Sequence, residues 1–76
     1  MNKVRRKNLQ EIADQLESLK GDLEGVQSEE EEYRDNIPEN MQGSERYERA
    51  EEACDNLSQA VSQLEDAISS IESAME

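Results

Sequence analysis

The chain has 76 residues and a formal net charge of -12; 33% of its residues are apolar, 37% are charged, and Phe and Trp are absent. A chain of this length forms at most one small domain. With no His and a single cysteine, Cys54, a disulfide framework and the Cys/His zinc patterns are excluded. A surface this acidic repels nucleic acid and anionic membranes, and favours partners with a basic surface.

The basic start of the chain carries Lys3, Arg5, Arg6 and Lys7, whereas the residues that follow hold 20 acids against four bases, a charge of -16. No apolar stretch follows the basic residues, as a secretory signal would require, and no run approaches the ~20 apolar residues of a membrane helix. We therefore expect a cytoplasmic protein without membrane contacts. The basic residues could bind nucleic acid, but in a helical hairpin they would lie beside the acidic C-terminal end, which is the favoured interpretation.

The first half of the chain predicts an α-helix over about residues 4–35. Its apolar residues alternate at spacings of three and four, the a and d positions of about four heptads. Only Glu30 is polar among them. These positions are Leu9, Ile12, Leu16, Leu19, Leu23, Val26, Glu30 and Tyr33.

Residues 36–44 predict a loop. Pro38 cannot continue a helix and disfavours helical geometry at the residue before it, Ile37. Ser44 is a good N-cap for a following helix. Ile37 and Met41 are expected to fold back over the neighbouring tyrosine layer; if they are exposed instead, the loop tip becomes the best candidate contact point.

The second half of the chain predicts a helix over about residues 45–75, again with an unbroken heptad pattern. Its a and d positions are Tyr47, Ala50, Cys54, Leu57, Val61, Leu64, Ile68, Ile71 and Met75.

Two helices of equal length joined by a short loop predict an all-α fold, an antiparallel two-helix coiled-coil hairpin that spans residues 1–76 as one domain. In an antiparallel pair, a positions meet d positions, and the residue numbers of the expected pairs all sum to 80, centred on Asn40. On one flank, Lys20 is expected to face Glu65. The expected core pairs include Tyr33–Tyr47, Val26–Cys54, Leu23–Leu57, Leu19–Val61, Leu16–Leu64 and Ile12–Ile68.

Alanine recurs every seven residues along the second helix, at Ala53, Ala60, Ala67 and Ala74. Alanine is the best helix former, which is explanation enough for single positions. A stripe of small residues also lets another helix approach closely and widens the apolar face. We favour the second interpretation, because a lone two-helix pair leaves much of each apolar stripe wet. The pattern therefore predicts a homodimer of hairpins, a four-helix bundle.

Catalytic chemistry is not indicated anywhere along the chain. Cys54 is expected to be a small buried hydrophobic residue, and without His it has no base to activate it. The run Glu29–Glu32 points in different directions around a helix and lacks the ligand spacing of a calcium loop, so no metal site is expected. We expect no cofactor, no substrate pocket and no enzymatic activity.

The link between the helices carries a resemblance. The stretch that begins Tyr33-Arg-Asp-Asn-Ile-Pro-Glu-Asn and continues into Ser44-Glu-Arg-Tyr resembles a segment of small uncharacterised proteins of Firmicutes and their phages. Those proteins carry an acidic heptad helix on either side of an RDNIPEN…SERY link. The specific part covers about a quarter of the chain. The resemblance implies a bacterial or prophage origin and a helical hairpin, and it transfers no activity.

Two functions remain as hypotheses. The first is a non-enzymatic structural or protein-interaction module that acts as a helical dimer. The alternative is an acidic, phage-type decoy or inhibitor that binds a basic nucleic-acid-binding protein. The candidate interaction residues are Ile37, Met41, Ala53, Ala60, Ala67 and Ala74.

Overall fold

The computed structural model describes all 76 residues and contains two long helices and no strand. Helix α1 runs over Lys3–Asp35, a single 3-10 turn over Glu39–Met41, and helix α2 over Glu45–Met75. The predicted helix bounds differ from these by one residue, at the start of α1.

Local side chains define where each helix begins. The Asn2 side-chain oxygen accepts a hydrogen bond from the Arg5 N–H at 2.8 Å, and the Ser44 hydroxyl accepts one from the Tyr47 N–H at 3.3 Å. Both contacts satisfy backbone donors that have no partner within the helix. At the end of α1, the Ile37 N–H donates to the Arg34 carbonyl at 3.2 Å, and Pro38 then prevents continuation.

The two helices pack antiparallel. At the open end of the hairpin, Arg6 Nε donates to the Met75 carbonyl at 3.0 Å; at the loop end, Arg46 Nε donates to the Tyr33 hydroxyl at 2.6 Å. The chain measures 59 × 15 × 13 Å, the shape of two rods lying side by side. The predicted all-helical hairpin is therefore confirmed.

The core between the helices is small. Only six of the 76 residues are buried, and the largest of them is Ile. Helix α2 supplies most of them, from the a and d positions that the heptad pattern predicts. The buried residues are Ala13, Ile37, Ala50, Cys54, Val61 and Ile68.

Helix α1 is turned differently from the prediction. Its a positions are partly covered, its d positions are about half-exposed, and its e positions are better covered than its d positions. Ala13 is buried, and the side chains of Lys20, Gln27 and Arg34 are at least partly covered. Exchanging d for e amounts to a rotation of roughly 50°, one seventh of a turn. The d members of four predicted core pairs, Ile12, Leu19, Val26 and Tyr33, are therefore about half-exposed where the prediction had them buried.

The reason for this rotation lies in the side chains at the e positions. Ala13 leaves room for a close approach of the helices. The aliphatic stems of Lys20 and Arg34 cover apolar surface while their charged ends reach carboxylates at the edge of the interface. A pattern that considers only apolar residues does not predict this packing, in which the stem of a charged side chain covers apolar surface.

Candidate functional site

Four large apolar side chains of α1 are exposed in a line along the hairpin. We call them the apolar row: Ile12, Leu19, Val26 and Tyr33 are 46%, 58%, 52% and 43% exposed. They are seven residues apart, so they lie on one side of the helix over about 31 Å. A line of half-exposed large apolar residues is unusual, because single exposed residues are the norm on a soluble protein.

The alanine row of α2, which is Ala53, Ala60, Ala67 and Ala74, borders the apolar row. The link between them is Tyr33, whose ring carries the Arg46 guanidinium 5.1 Å from its centre and whose hydroxyl accepts from Arg46 Nε. Arg46 precedes Ala53 by seven residues, as Val26 precedes Tyr33 by seven. Because both rows repeat every seven residues in opposite directions, the contact at Tyr33 sets Val26 beside Ala53 and carries the rows side by side along the hairpin.

At the opposite edge of the hairpin, an ion pair joins the two helices. Lys20 Nζ lies 3.2 Å from Glu17 and 3.7 Å from Glu65 of the other helix, and its side chain is only 17% exposed. The hydrogen bond to Glu17 raises the pKa of Lys20 above its ordinary value, and the charge of Glu65 adds to the effect. The predicted Lys20–Glu65 contact is thus present. The two edges of the hairpin differ: one is crossed by an ion pair, the other is apolar.

An open groove of about 460 Å³ lies at the loop end of the two rows. It combines the aromatic ring of Tyr33 with the cations Arg46 and Arg49 and the carboxylates Glu30 and Glu45; Arg49 pairs with Glu45. No pocket between the helices was expected from the sequence, so the groove is a feature that only the structure reveals. It continues the surface formed by the two rows.

The candidate interaction residues of the loop separate in the structure. Ile37 is buried, with 2% of its surface exposed, so it has no surface to offer a partner in this conformation. Met41 is exposed. Of the alanine row, Ala53 and Ala60 are half-buried beside α1, and Ala67 and Ala74 are exposed. The structure therefore places Met41 and the alanine row, but not Ile37, where a partner can reach them.

Cys54 is buried between the helices with 3% of its surface exposed, as the sequence predicts. Burial in apolar surroundings raises the pKa of its thiol, and the nearby positive charge of Arg34 opposes this shift only in part. A thiol of this kind is protonated at neutral pH and is a poor nucleophile.

The acidic side chains do not gather around a point. No three Asp, Glu or Cys side chains are placed to hold a metal ion. Within the run Glu29–Glu32, Glu31 accepts from Gln27 Nε2 at 3.2 Å, and Glu30 reaches the groove at the loop end. The run is a set of solvated and edge positions.

The apolar row is the feature that sequence reasoning assigned to the wrong place, since its members were expected in the core. A signal for it exists in the sequence. Helix α1 is apolar at a and d, and α2 is apolar at a, d and g, which is more apolar surface than one helix pair can cover.

Comparison with known proteins does not extend this description. The chain matches no family model, no curated protein and no solved structure. Neither helix contains a segment long and apolar enough to cross a membrane.

Proposed function

We propose that the chain is a non-enzymatic structural or protein-interaction module that acts as a helical homodimer in the cytoplasm. The observation that carries this proposal is the exposed apolar row beside the alanine row. A second hairpin covering this surface completes a four-helix bundle and removes four large apolar side chains per chain from water.

The small core supports the same conclusion. Burial of six residues, none larger than Ile, gives a 76-residue chain little to set against the cost of ordering its backbone. Proteins of this size are often stabilised by disulfides, metals or association. This chain has one cysteine and no cluster of metal ligands, so association is the source of additional stability that we propose for it.

An enzymatic role finds no support in the available side chains. The single thiol is buried and protonated, and the chain has no His to act as its base. The groove at the loop end is open to solvent and has its arginines beside carboxylates.

Replacing one member of the apolar row tests the proposed dimer. We expect Val26→Lys to convert a dimer at micromolar concentration into a monomer, because the new charge lies in the middle of the covered surface. Ser28→Lys is the matched control: it adds the same charge two residues away, on an exposed position of α1 that faces away from the row. Sedimentation equilibrium gives the mass of each form. A monomeric unmodified chain, or equal masses for the two variants, would refute the proposal.

A second candidate is the acidic decoy, in keeping with the resemblance to phage proteins. Residues 20–61, the loop half of the hairpin, hold 13 acidic and four basic residues, a charge of -9, whereas the open half carries -3. Such a surface is suited to a basic, nucleic-acid-binding partner. Immobilised hairpin should then retain a basic protein from bacterial lysate, and both salt and added duplex DNA should release it. Retention that resists DNA would contradict this function.

A further inference from the structure

We propose that the two hairpins of the dimer lie with their loops at the same end, so that the apolar row of each chain packs on the alanine row of the other. This arrangement rests on the proposed dimer and adds its geometry. It assigns the exposed rows to one occupant, a second copy of the chain.

Two arrangements are available to a two-fold symmetric dimer that packs through this surface. A two-fold axis along the hairpin keeps the loops together and sets α1 against α2 of the partner. A two-fold axis across the hairpin puts the loops at opposite ends and sets α1 against the partner's α1, and α2 against the partner's α2.

Side-chain size favours the first arrangement. The rows lie at matching levels within one hairpin, as the Tyr33–Arg46 contact shows. With the loops at the same end, Val26 contacts the partner's Ala53 and Leu19 contacts the partner's Ala60. A large residue thus packs on a small one in each pair. With loops apart, large residues meet large ones on one side of the bundle and alanines meet alanines on the other. Two large residues need a wider distance between facing helices than two alanines do. Two rigid hairpins cannot adopt both distances without overpacking on one side or voids on the other.

The polar edges of the surface favour the same arrangement. Asp22 and Glu29 each follow a member of the apolar row by three residues and so form its outer edge. On α2, Arg49 precedes Ala53 by four residues and Asn56 follows it by three, so both lie next to Ala53. With loops together, Glu29 meets the partner's Arg49 and Asp22 meets the partner's Asn56, which gives an ion pair and a hydrogen-bonding pair. With loops apart, the acidic edge of α1 lies against the acidic edge of the partner's α1, which gives no such pair.

The net charge opposes this arrangement, but more weakly. Loops together, two halves of charge -9 lie side by side. Salt screens charges that are farther apart than the Debye length, about 8 Å at physiological ionic strength, so the more distant pairs among these charges contribute little. The packing and edge contacts act at contact distance, where screening is least, and therefore decide the arrangement.

The size of the surface suits a stable dimer. One side of the hairpin is 59 Å long and about 15 Å wide, so it presents roughly 900 Å², close to the ~800 Å² per partner of a standard interface. The surface also holds both halves of each complementary contact: a large and a small row, an acidic and a basic edge. Such self-complementarity is what a second copy requires.

Distance measurements between spin labels test the arrangement. Gln42→Cys carries a label in the exposed loop, in a Cys54→Ala background that leaves no other thiol. Loops together, the two labels should lie about two helix diameters apart, roughly 20 Å. A separation near the 59 Å length of the hairpin would overturn the arrangement while leaving the dimer intact. If the chain is monomeric both with Cys54 and with Cys54→Ala, the proposed function is refuted as well.

A charge exchange tests the same geometry with Cys54 in place. We expect Glu29→Arg and Arg49→Glu each to raise the dimer dissociation constant roughly three- to tenfold, the effect of losing two exposed ion pairs, and the double variant to restore it. Glu29→Arg makes the chain less negative, from the -12 of the unmodified chain, so in the loops-apart arrangement it should instead strengthen the dimer. Strengthening by that variant, or no recovery in the double variant, would refute the proposal.

Discussion

Lys20 shows how a charged residue can take part in the interface between the two helices of a small hairpin. Its side chain is mostly covered, yet its ammonium group reaches Glu17 and Glu65 at the edge. The four-carbon stem covers apolar surface, and the charge remains in a polar environment. The stem, more than the ion pair, is the part that contributes to packing, because a pair whose carboxylates are exposed is worth ~0.2–1 kcal/mol.

We therefore expect Lys20→Ala to lower the free energy of unfolding more than Lys20→Met does. Met keeps a stem of similar length and loses only the charge, whereas Ala loses both. Urea unfolding followed by circular dichroism gives the two values. If the two variants are equally destabilised, the ion pairs outweigh the stem and this interpretation of Lys20 fails.

Cys54 links burial to pH dependence. Because burial raises the pKa of its thiol, the folded chain holds the thiol proton more tightly than the unfolded chain does. This contribution to stability is complete below the ordinary thiol pKa of about 8.5 and is lost as the pH rises through the raised value.

The difference between the unmodified chain and Cys54→Ala isolates that contribution, since the two chains share every other titratable group. Between roughly pH 8 and pH 11, the free energy of unfolding should fall more steeply for the unmodified chain. Thermal unfolding at several pH values measures it. Parallel curves would show that the thiol is not protected by burial.

Helix α1 is the less intrinsically stable element, because two glycines, Gly21 and Gly25, interrupt its middle. Neither glycine has a neighbouring atom within 4 Å of the position that a Cβ would take, and neither has a positive φ. No close approach or turn therefore requires a glycine at these positions in the single chain. Each costs the helix conformational entropy in folding.

Gly21→Ala should raise the free energy of unfolding by ~0.5–1 kcal/mol, the difference in helix propensity. For a domain of this size that corresponds to roughly 2–8 °C in melting temperature. Ser28→Ala on the same exposed side of α1 is the control and should change stability less, since Ser is a better helix former than Gly. No increase for Gly21→Ala would indicate that something covers this position in solution.

At the scale of the whole molecule, charge and apolar surface act in opposite directions on association. The chain carries -12, so two copies repel each other, while the apolar rows attract. Few of the charges are paired: three of the four ion pairs lie within a single helix, which leaves mostly repulsion for salt to screen.

Raising the ionic strength from about 0.01 M to about 1 M, which shortens the Debye length from 30 Å to 3 Å, should therefore raise the melting temperature and tighten the dimer. Differential scanning calorimetry at several protein concentrations separates the two effects, because only association makes the melting temperature depend on concentration. A melting temperature that falls with salt would mean that attractive ion pairs dominate.

The sequence by itself determined the two helices, their bounds and their antiparallel order. Those features depend on local chemistry: the heptad spacing, the break at Pro38 and the cap at Ser44 act within a few residues of where they stand. The burial of Cys54 on α2 followed from the same spacing, because the apolar stripe of α2 is broad enough to stay inside after small rotations.

Only the tertiary structure decided which side of α1 faces α2, and with it the location of the candidate site. A rotation of α1 by about 50° exchanges an a/d face for an a/e face, and the heptad pattern favoured d because Leu19 and Val26 are apolar. The packed hairpin uses e, since Lys20 and Arg34 cover apolar surface with their stems while keeping their charges at the edge. That balance depends on the partner helix, and it leaves the apolar row exposed for a second chain.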